Sequence, residues 1–460
     1  MNFNSYIFVF LFLPLTLIVY FFLHAKKKST LAKVWLLGMS LWFYGYFNYS
    51  YLVLIIFSIL FNYVVSRGMT KCSGSKIKKV YLTLGIVANV GLLFYFKYYD
   101  FFLENVNTVF GLSFSLKNIL LPLGISFYTF QQLSYVIDSY NGKTNYSILD
   151  YSLFVTFFPQ LVAGPIVLHT ELIPQLQDEK RYKVNYEKLS KGLMQFTLGL
   201  SKKMLIADNV GKMVDAGFAN IGGLTSIEAI VVMVSYLLQI YFDFSGYSDM
   251  AIGLGRMFNF DLPMNFNSPY KATSIIDFWN RWHMTLTRFL REYIYFPLGG
   301  SRKGTLCTYR NIMVVFLVSG LWHGANWTFI LWGALHGVAE VLQRIFHKMW
   351  DKIAKPIQWG INFLFLMLTW TIFRAESIEQ AWQMISRIWL GEKWALYSDA
   401  QIGYFDVLLV TGILGIAVFC KNGSEIKYEL KVRNAIVTIV LLIVCALQFA
   451  HLSPFLYFNF

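Results

Sequence analysis

Stretches of about 18 apolar residues recur along this chain, and each is long enough to cross a hydrocarbon layer about 30 Å thick. The clearest lie at about 6–23, 34–48, 50–66, 80–97, 117–137, 150–168, 190–206, 225–242, 311–345, 357–374, 403–420 and 434–452. They are continuously apolar and lack the alternation, over segments of about ten residues, that a lipid-facing barrel strand requires, so they are expected to be helices. Composition agrees: 57% of the 460 residues are hydrophobic and 14% charged, against about 45–50% and about 25% in soluble domains. A soluble core cannot absorb that excess. The expected architecture is an all-α polytopic membrane protein with about 11–12 transmembrane helices plus buried or re-entrant ones. With no internal repeat or low-complexity linker, residues 1–460 read as a single domain.

The net charge of +14 sits mainly in short loops between spans, where the positive-inside rule puts Lys and Arg, and this argues against a nucleic-acid partner. Cys72, Cys307, Cys420 and Cys445 are scattered without metal-ligand spacing, so neither a metal site nor a disulfide framework is expected. The run from Tyr6 to Leu23 has no basic residue before it and Lys26, Lys27 and Lys28 after it, the pattern of a span rather than a cleaved signal peptide. That basic turn is expected in the cytoplasm and the N-terminus outside. Lys421, Lys427, Lys431 and Arg433 mark a second cytoplasmic loop, which places the C-terminus on the outer face too.

Two regions do not fit a bundle of simple spans. From Asp277 to Arg291 a helix-like pattern carries Asp277, Asn280, Arg281, His283, Arg288 and Arg291 among Trp279, Trp282, Phe289 and Leu290, too polar to face lipid. It is expected to be buried in protein or to line a wet cavity. On one helix, Asn280, His283 and Thr287 would share a face at i, i+3 and i+7. They would either bind substrate or form a network that holds the helix. Arg281, Arg288 and Arg291 could grip phosphates or pair with Asp277 and Glu292. The run from Asn311 to Phe346 is too long for one crossing, and Gly320, Gly324, Asn326, Gly333 and Gly337 offer places to break it, so two helices or a broken one are expected.

Among the histidines, His24 and His347 adjoin basic loops, His451 ends a span, and His169 follows a Gly-Pro break at an expected interface. His323 differs. It lies in Gly320-Leu321-Trp322-His323-Gly324-Ala325-Asn326-Trp327 at membrane depth, where an ionisable side chain is either functional or buried and paired. Gly320 and Gly324 clear space around it and two tryptophans wall it. His336 would point away from it on a straight helix. Asp243 and Asp249 are candidate partners for the basic helix.

Four segments in order carry a resemblance: Phe158-Pro159-Gln160-Leu161-Val162-Ala163-Gly164-Pro165, Gln239 through Asp249, Phe278-Trp279-Asn280-Arg281-Trp282-His283-Met284-Thr285-Leu286, and Leu321-Trp322-His323-Gly324. They resemble the alginate and peptidoglycan O-acetyltransferase branch of the membrane-bound O-acyltransferases, over roughly residues 120–375, and Thr369 to Ala375 looks like its late motif. The resemblance implies peripheral helices around a thinned centre, with a central tunnel where a cytoplasmic acyl thioester meets an acceptor from the other side. It implies that His323 is the family's near-invariant catalytic histidine and His283 its second motif position. Asn280, Trp279, Trp282, Trp322, Asn326, Arg281 and Arg288 complete the candidate substrate-binding set. Further implications are acetyl-CoA as donor with no bound cofactor, and a cell-envelope polysaccharide as destination. An extracytoplasmic SGNH-type acetyltransferase partner, membrane lipids around the chain and a bacterial inner-membrane location complete them. The tail 453–460 contains Phe455-Leu456-Tyr457-Phe458-Asn459-Phe460, whose Phe-x-Tyr-x-x-Phe spacing resembles the C-terminus of the small peptide that partners the related D-alanyl acyltransferase. Tyr457 is accordingly a candidate acyl carrier, and an aromatic interfacial anchor is the other role open to it.

His323 is expected to act as general base on the acceptor hydroxyl, a contribution of about 10²–10⁴-fold. A polysaccharide or ion transporter with sites at broken helices is the different class of function, and a protein or lipid acyltransferase of the same fold is the nearer one. Orientation is testable directly. Lys27→Cys in a background lacking the four native cysteines should react with a membrane-impermeant maleimide only once cells are opened, and labelling in intact cells would invert the topology.

Overall fold

In the computed structural model the apolar runs become helices, and no strand occurs among the described residues, which are 1–142, 144–391, 396, 402–450, 453, 455 and 456. Six of the described helices are long and apolar enough to cross a membrane: Phe8–Ala25, Ser50–Lys71, Ser75–Phe110, Ser226–Met257, Thr305–His323 and Lys355–Arg374. Tyr404–Phe419 and Val432–Leu447 are apolar and shorter. The protein is a multi-pass membrane protein.

Other expected spans turn into shorter helices for local reasons. Ile125–Tyr140 and Tyr186–Ser201 have 16 residues each, which rise only about 24 Å. The expected span at 117–137 loses its first half because Asn118 and Gly124 adopt positive φ (49° and 70°) and Asp100 accepts the Lys117 N–H at 2.8 Å, which holds that strand of chain out of a helix. The one at 150–168 stops after Ile148–Thr156, where Phe157 leaves helical geometry ahead of Pro159 and Pro165.

The described residues group into two compact units. The first comprises the described residues of Met1–Leu200, Tyr247–Pro263 and Tyr428–Phe458. Within it Ser58, Asn62, Asn89 and Gln132 join across three helices, Ser58 Oγ donating to Gln132 Oε1 at 2.8 Å and Asn89 Nδ2 to Asn62 Oδ1 at 2.6 Å. Polar side chains at this depth thereby find partners in protein rather than lipid, with Gln132 Nε2 left over among the described residues. His169, expected at an interface, is fully buried instead, its Nε2 3.0 Å from Asp138 Oδ2 and its ring against Tyr135.

The second unit comprises Ser201–Gly246 and Met264–Lys427. At its start a π-helical turn, Lys202–Ala207, buries two consecutive lysines. Lys203 Nζ meets Asp243 Oδ1 at 2.6 Å and Asp208 Oδ1 at 2.8 Å, and the Lys203 and Asp243 side chains are each only 2% exposed. The expected break in 311–346 is real: Thr305–His323 and Trp327–Ile345 pack as a hairpin, and the latter packs on Lys355–Arg374. Glycine makes the hairpin possible. A Cβ on Gly333 would collide with the Phe316 carbonyl oxygen and one on Gly320 with the Phe329 carbonyl oxygen, so the two backbones are in direct contact. Gly333→Ala should therefore destabilise the purified protein by about 1–3 kcal/mol, read as a lower midpoint of thermal unfolding in detergent. Gly360→Ala, where nothing lies within 4 Å of the added methyl, should leave the midpoint unchanged or raise it; equal effects at the two positions would contradict this account of the hairpin.

Candidate active site

The hairpin delivers His323. Its helix ends there because Gly324 is extended and Asn326 begins the next helix, accepting the Thr328 N–H on its side-chain oxygen at 3.0 Å. Asn326 Nδ2 also donates to the Glu376 carbonyl at 2.8 Å, so this candidate substrate contact caps a helix and ties the hairpin to the following loop. His323 is 2% exposed. Rings wall it, with Trp322 at 4.9 Å and Trp332 and Phe373 each at 5.2 Å between centroids.

His283 reaches the same wall by a different route. The segment expected as one helix is two, Ile275–Trp279 and Met284–Leu290, and between them His283 adopts φ 44°. The left-handed conformation costs roughly 1–2 kcal/mol for an L-residue, so something must hold it. Asn265 does: its Oδ1 lies 3.1 Å from His283 Nδ1, 2.8 Å from Thr285 Oγ1 and 3.3 Å from Thr285 N. Backbone bonds flank this contact, Met284 N to Asn265 O at 3.0 Å and Asn267 N to Arg281 O at 2.9 Å. An amide oxygen only accepts, so the arrangement assigns the imidazole proton to Nδ1 and makes Nε2 the accepting nitrogen. The ring is fully buried, edge-on to Phe244 at 4.7 Å and 5.8 Å from Trp322. Trp322 therefore touches both histidines.

This turn overturns the shared face expected for Asn280, His283 and Thr287. Asn280 and Thr287 line a cavity of about 210 Å³ with Trp279, Ser319, Arg291 and Arg344, whereas His283 turns into the aromatic wall. Ser319 lies one helical turn before His323. Leu286, Leu290, Ile312 and Phe316, all buried, give the cavity an apolar lining. Trp279 is fixed from behind, its Nε1 donating to His336 Nδ1 at 3.2 Å and its ring 5.7 Å from Trp332. Trp282 is a core residue stacked on Phe278 and 4.9 Å from Trp370. Arg281 pairs with Asp277 at 2.8 Å, and Arg288 is half-buried on Met284–Leu290. Tyr457 and His451 lie outside the described residues, while Phe455 packs on Tyr247 at 4.6 Å.

Three positions with structural weight around the site escaped the sequence reasoning. Asn265 sits in an irregular segment, where no periodicity points to it. Lys202 and Lys203 did carry a signal, since paired lysines inside an apolar run must be buried with partners.

Residues 143–382 match the membrane-bound O-acyltransferase family. The chain is 45% identical over 414 residues to the peptidoglycan O-acetyltransferase of Helicobacter pylori, covering 83% of this chain and 79% of that protein. It is 40% identical over 447 residues to a probable alginate O-acetylase AlgI of Azotobacter vinelandii, covering 95% and 87%. A more distant match is the teichoic acid D-alanyltransferase of Bacillus subtilis, 27% identical over 247 residues, covering 51% of this chain and 62% of that one. With the helical hairpin that carries His323, the turn that carries His283 and relatives of this extent, the chain belongs to the membrane-bound O-acyltransferase family and is an O-acyltransferase.

Proposed function

We propose that the protein transfers acetyl from cytoplasmic acetyl-CoA toward hydroxyls of an extracytoplasmic cell-envelope polysaccharide, peptidoglycan or alginate by the names of its relatives. The observation that carries the reading is the pair of buried histidines on one indole, next to a cavity lined by apolar residues and two arginines. Arg302 and Lys303 precede the Thr305 end of the hairpin, and Lys348, Lys352 and Lys355 follow its Ile345 end, which supports a cytoplasmic position for both ends. Arg291 and Arg344 belong to that side and suit the phosphates of coenzyme A, and the apolar lining suits its pantetheine arm. Arg344 already holds Glu340 at 2.7 Å, so Arg291, which is exposed, is the less encumbered of the two.

In the reaction, neutral His323 removes the proton of the acceptor hydroxyl as its oxygen attacks the thioester carbonyl. The C–O bond forms, the tetrahedral intermediate collapses with loss of the C–S bond, and the thiolate leaving group takes the proton back to give free coenzyme A. His283 orients the acceptor. Its Nδ1–H tautomer makes Nε2 an acceptor, which suits a neighbouring O–H or N–H of the acceptor molecule better than a developing oxyanion and leaves the attacking hydroxyl's proton to His323. The final recipient is either the polysaccharide itself or a serine of an extracytoplasmic SGNH-type partner, with Tyr457 as an intermediate carrier in the longer relay.

Isotopically labelled acetyl-CoA tests this. Membranes carrying the protein should place label on peptidoglycan or alginate supplied as acceptor, and peptide masses should show whether Tyr457 is labelled on the way. Free coenzyme A without labelled polymer or carrier would contradict the assigned destination. Arg291→Glu should raise KM for acetyl-CoA by about tenfold or more with kcat little changed, given about 1.5–3 kcal/mol for a charge-assisted hydrogen bond. An unchanged KM would remove the cavity from the donor path.

A further inference from the structure

The segment that carries Asn265 is itself held from a distant part of the chain. Asn422 Nδ2 donates to the Phe266 carbonyl at 2.9 Å across 156 residues of sequence, and Ser424 Oγ donates to the same oxygen at 3.1 Å. The turn that presents these donors is built by its own sequence. Glu425 Oε2 accepts the Asn422 N–H at 2.8 Å, Asn422 Oδ1 accepts the Gly423 N–H at 2.7 Å, and Glu425 Oε2 also accepts the Ser268 hydroxyl at 2.9 Å. Ser268 needs that tether, since its φ is 47°. Burial would raise the Glu425 carboxyl, but the Asn422 N–H, Ser268 and Lys271 together hold it below its ordinary value, so the tether is charged at neutral pH. The other end of the turn is anchored in the core: buried Lys202 donates to Asn422 Oδ1 at 2.7 Å and lies 3.5 Å from Ser245 Oγ, with its ammonium 6.0 Å from the Tyr241 ring centroid. Phe266, between the two hydrogen-bonded neighbours, lays its ring nearly parallel to the His283 imidazole and meets Trp282 edge-on.

We propose that the turn Asn422-Gly423-Ser424-Glu425 is a positioning element for His283, with Asn422 as its key residue. The inference rests on His283 acting in the acyl transfer described above. Asn422 touches no reacting atom. It acts through the Phe266 carbonyl, and so through the strand of chain whose Asn265 side chain sets the left-handed turn, the tautomer and the direction of the His283 ring. Within the turn the oxygen also takes the Gly423 N–H and the nitrogen reaches Ser424 Oγ at 3.4 Å, but beyond it the two polar ends face different partners. The oxygen engages Lys202 and so anchors the turn. The amide nitrogen engages Phe266 and so sets the site. These jobs can be separated, because Asp in place of Asn keeps the oxygen for Lys202 and puts a second oxygen where the carbonyl needs a donor.

The test uses the full-length protein in detergent, with Asn422→Ala, Asn422→Asp and Ser424→Ala compared with wild type. Two quantities are read: kcat and KM for acetyl-CoA, and carbethoxylation of His283 by diethylpyrocarbonate, followed by peptide mass. Both Asn422 variants are expected to lose kcat by roughly 10–100-fold with KM within about twofold. Both should expose His283 to the reagent several-fold faster, and Ser424→Ala should shift both readings in the same direction by less. If Asn422→Asp behaves as wild type while Asn422→Ala fails, the turn is only an anchor for Lys202 and the proposal falls. It falls equally if His283 reactivity stays at the wild-type rate in all three. Should Asn422→Ala not fold, Asn422→Asp and Ser424→Ala still decide the matter. Absence of any acetyl-CoA turnover by wild type would overturn the acetyltransfer reading and leave the labelling comparison to judge the positioning by itself.

Discussion

A polar group at membrane depth must find its partner in protein, because hydrocarbon offers none. The second unit is organised by that requirement. Lys203 is buried against Asp243 and Asp208, Lys202 against Asn422, and His283 against Asn265, each within 3.1 Å of its partner. None of these partners is adjacent in sequence except Asp208. The pairs therefore do what an apolar core cannot do in lipid, where burying one more methylene gains little: they specify which segments meet and in what register. A helix interrupted at His283 or at His323 exposes backbone groups, and capping by Asn326 and Asn265 satisfies them within the protein.

Aromatic packing supplies the complementary part. Trp332 lies 5.2 Å from His323, 5.7 Å from Trp279 and 5.7 Å from Trp370, so one indole links His323, the cavity wall and the core around Trp282. Indole rings combine large rigid surfaces with a single donor, which makes them suited to walls that must exclude water from a thioester without competing for its polar atoms. The glycine contacts of the hairpin belong to the same design, since only direct backbone approach brings Trp332 close enough to His323.

Much of this was legible in the chain. The helical class, the break between Asn311 and Phe346 and the distinct standing of His323 followed from apolar length, glycine placement and the rarity of histidine at depth. The failures have physical causes. An i, i+3, i+7 argument over Asn280, His283 and Thr287 presumes an unbroken helix, and no local propensity betrays a left-handed histidine that a side chain 18 residues earlier holds in place. Asn326, expected among the places to break the run from Asn311, caps the helix that follows, the common use of an asparagine before a helix. Asn422 was hidden in a loop whose basic residues suggested only topology. Its role comes from contacts more than 150 residues away, which no pattern along the chain encodes.

The central claim is that His323 performs the proton transfer while His283 orients the acceptor. Its most direct measure is the pre-steady-state rate of coenzyme A release by purified protein saturated with acetyl-CoA and acceptor, for wild type, His323→Ala and His283→Ala. The account predicts that His323→Ala loses about 10²–10⁴-fold, with acetyl-CoA binding retained. It predicts that His283→Ala also loses rate at saturation, by less than His323→Ala, because a bound but misoriented acceptor hydroxyl attacks more slowly. Release at the wild-type rate by His323→Ala would contradict it, whatever the second variant does.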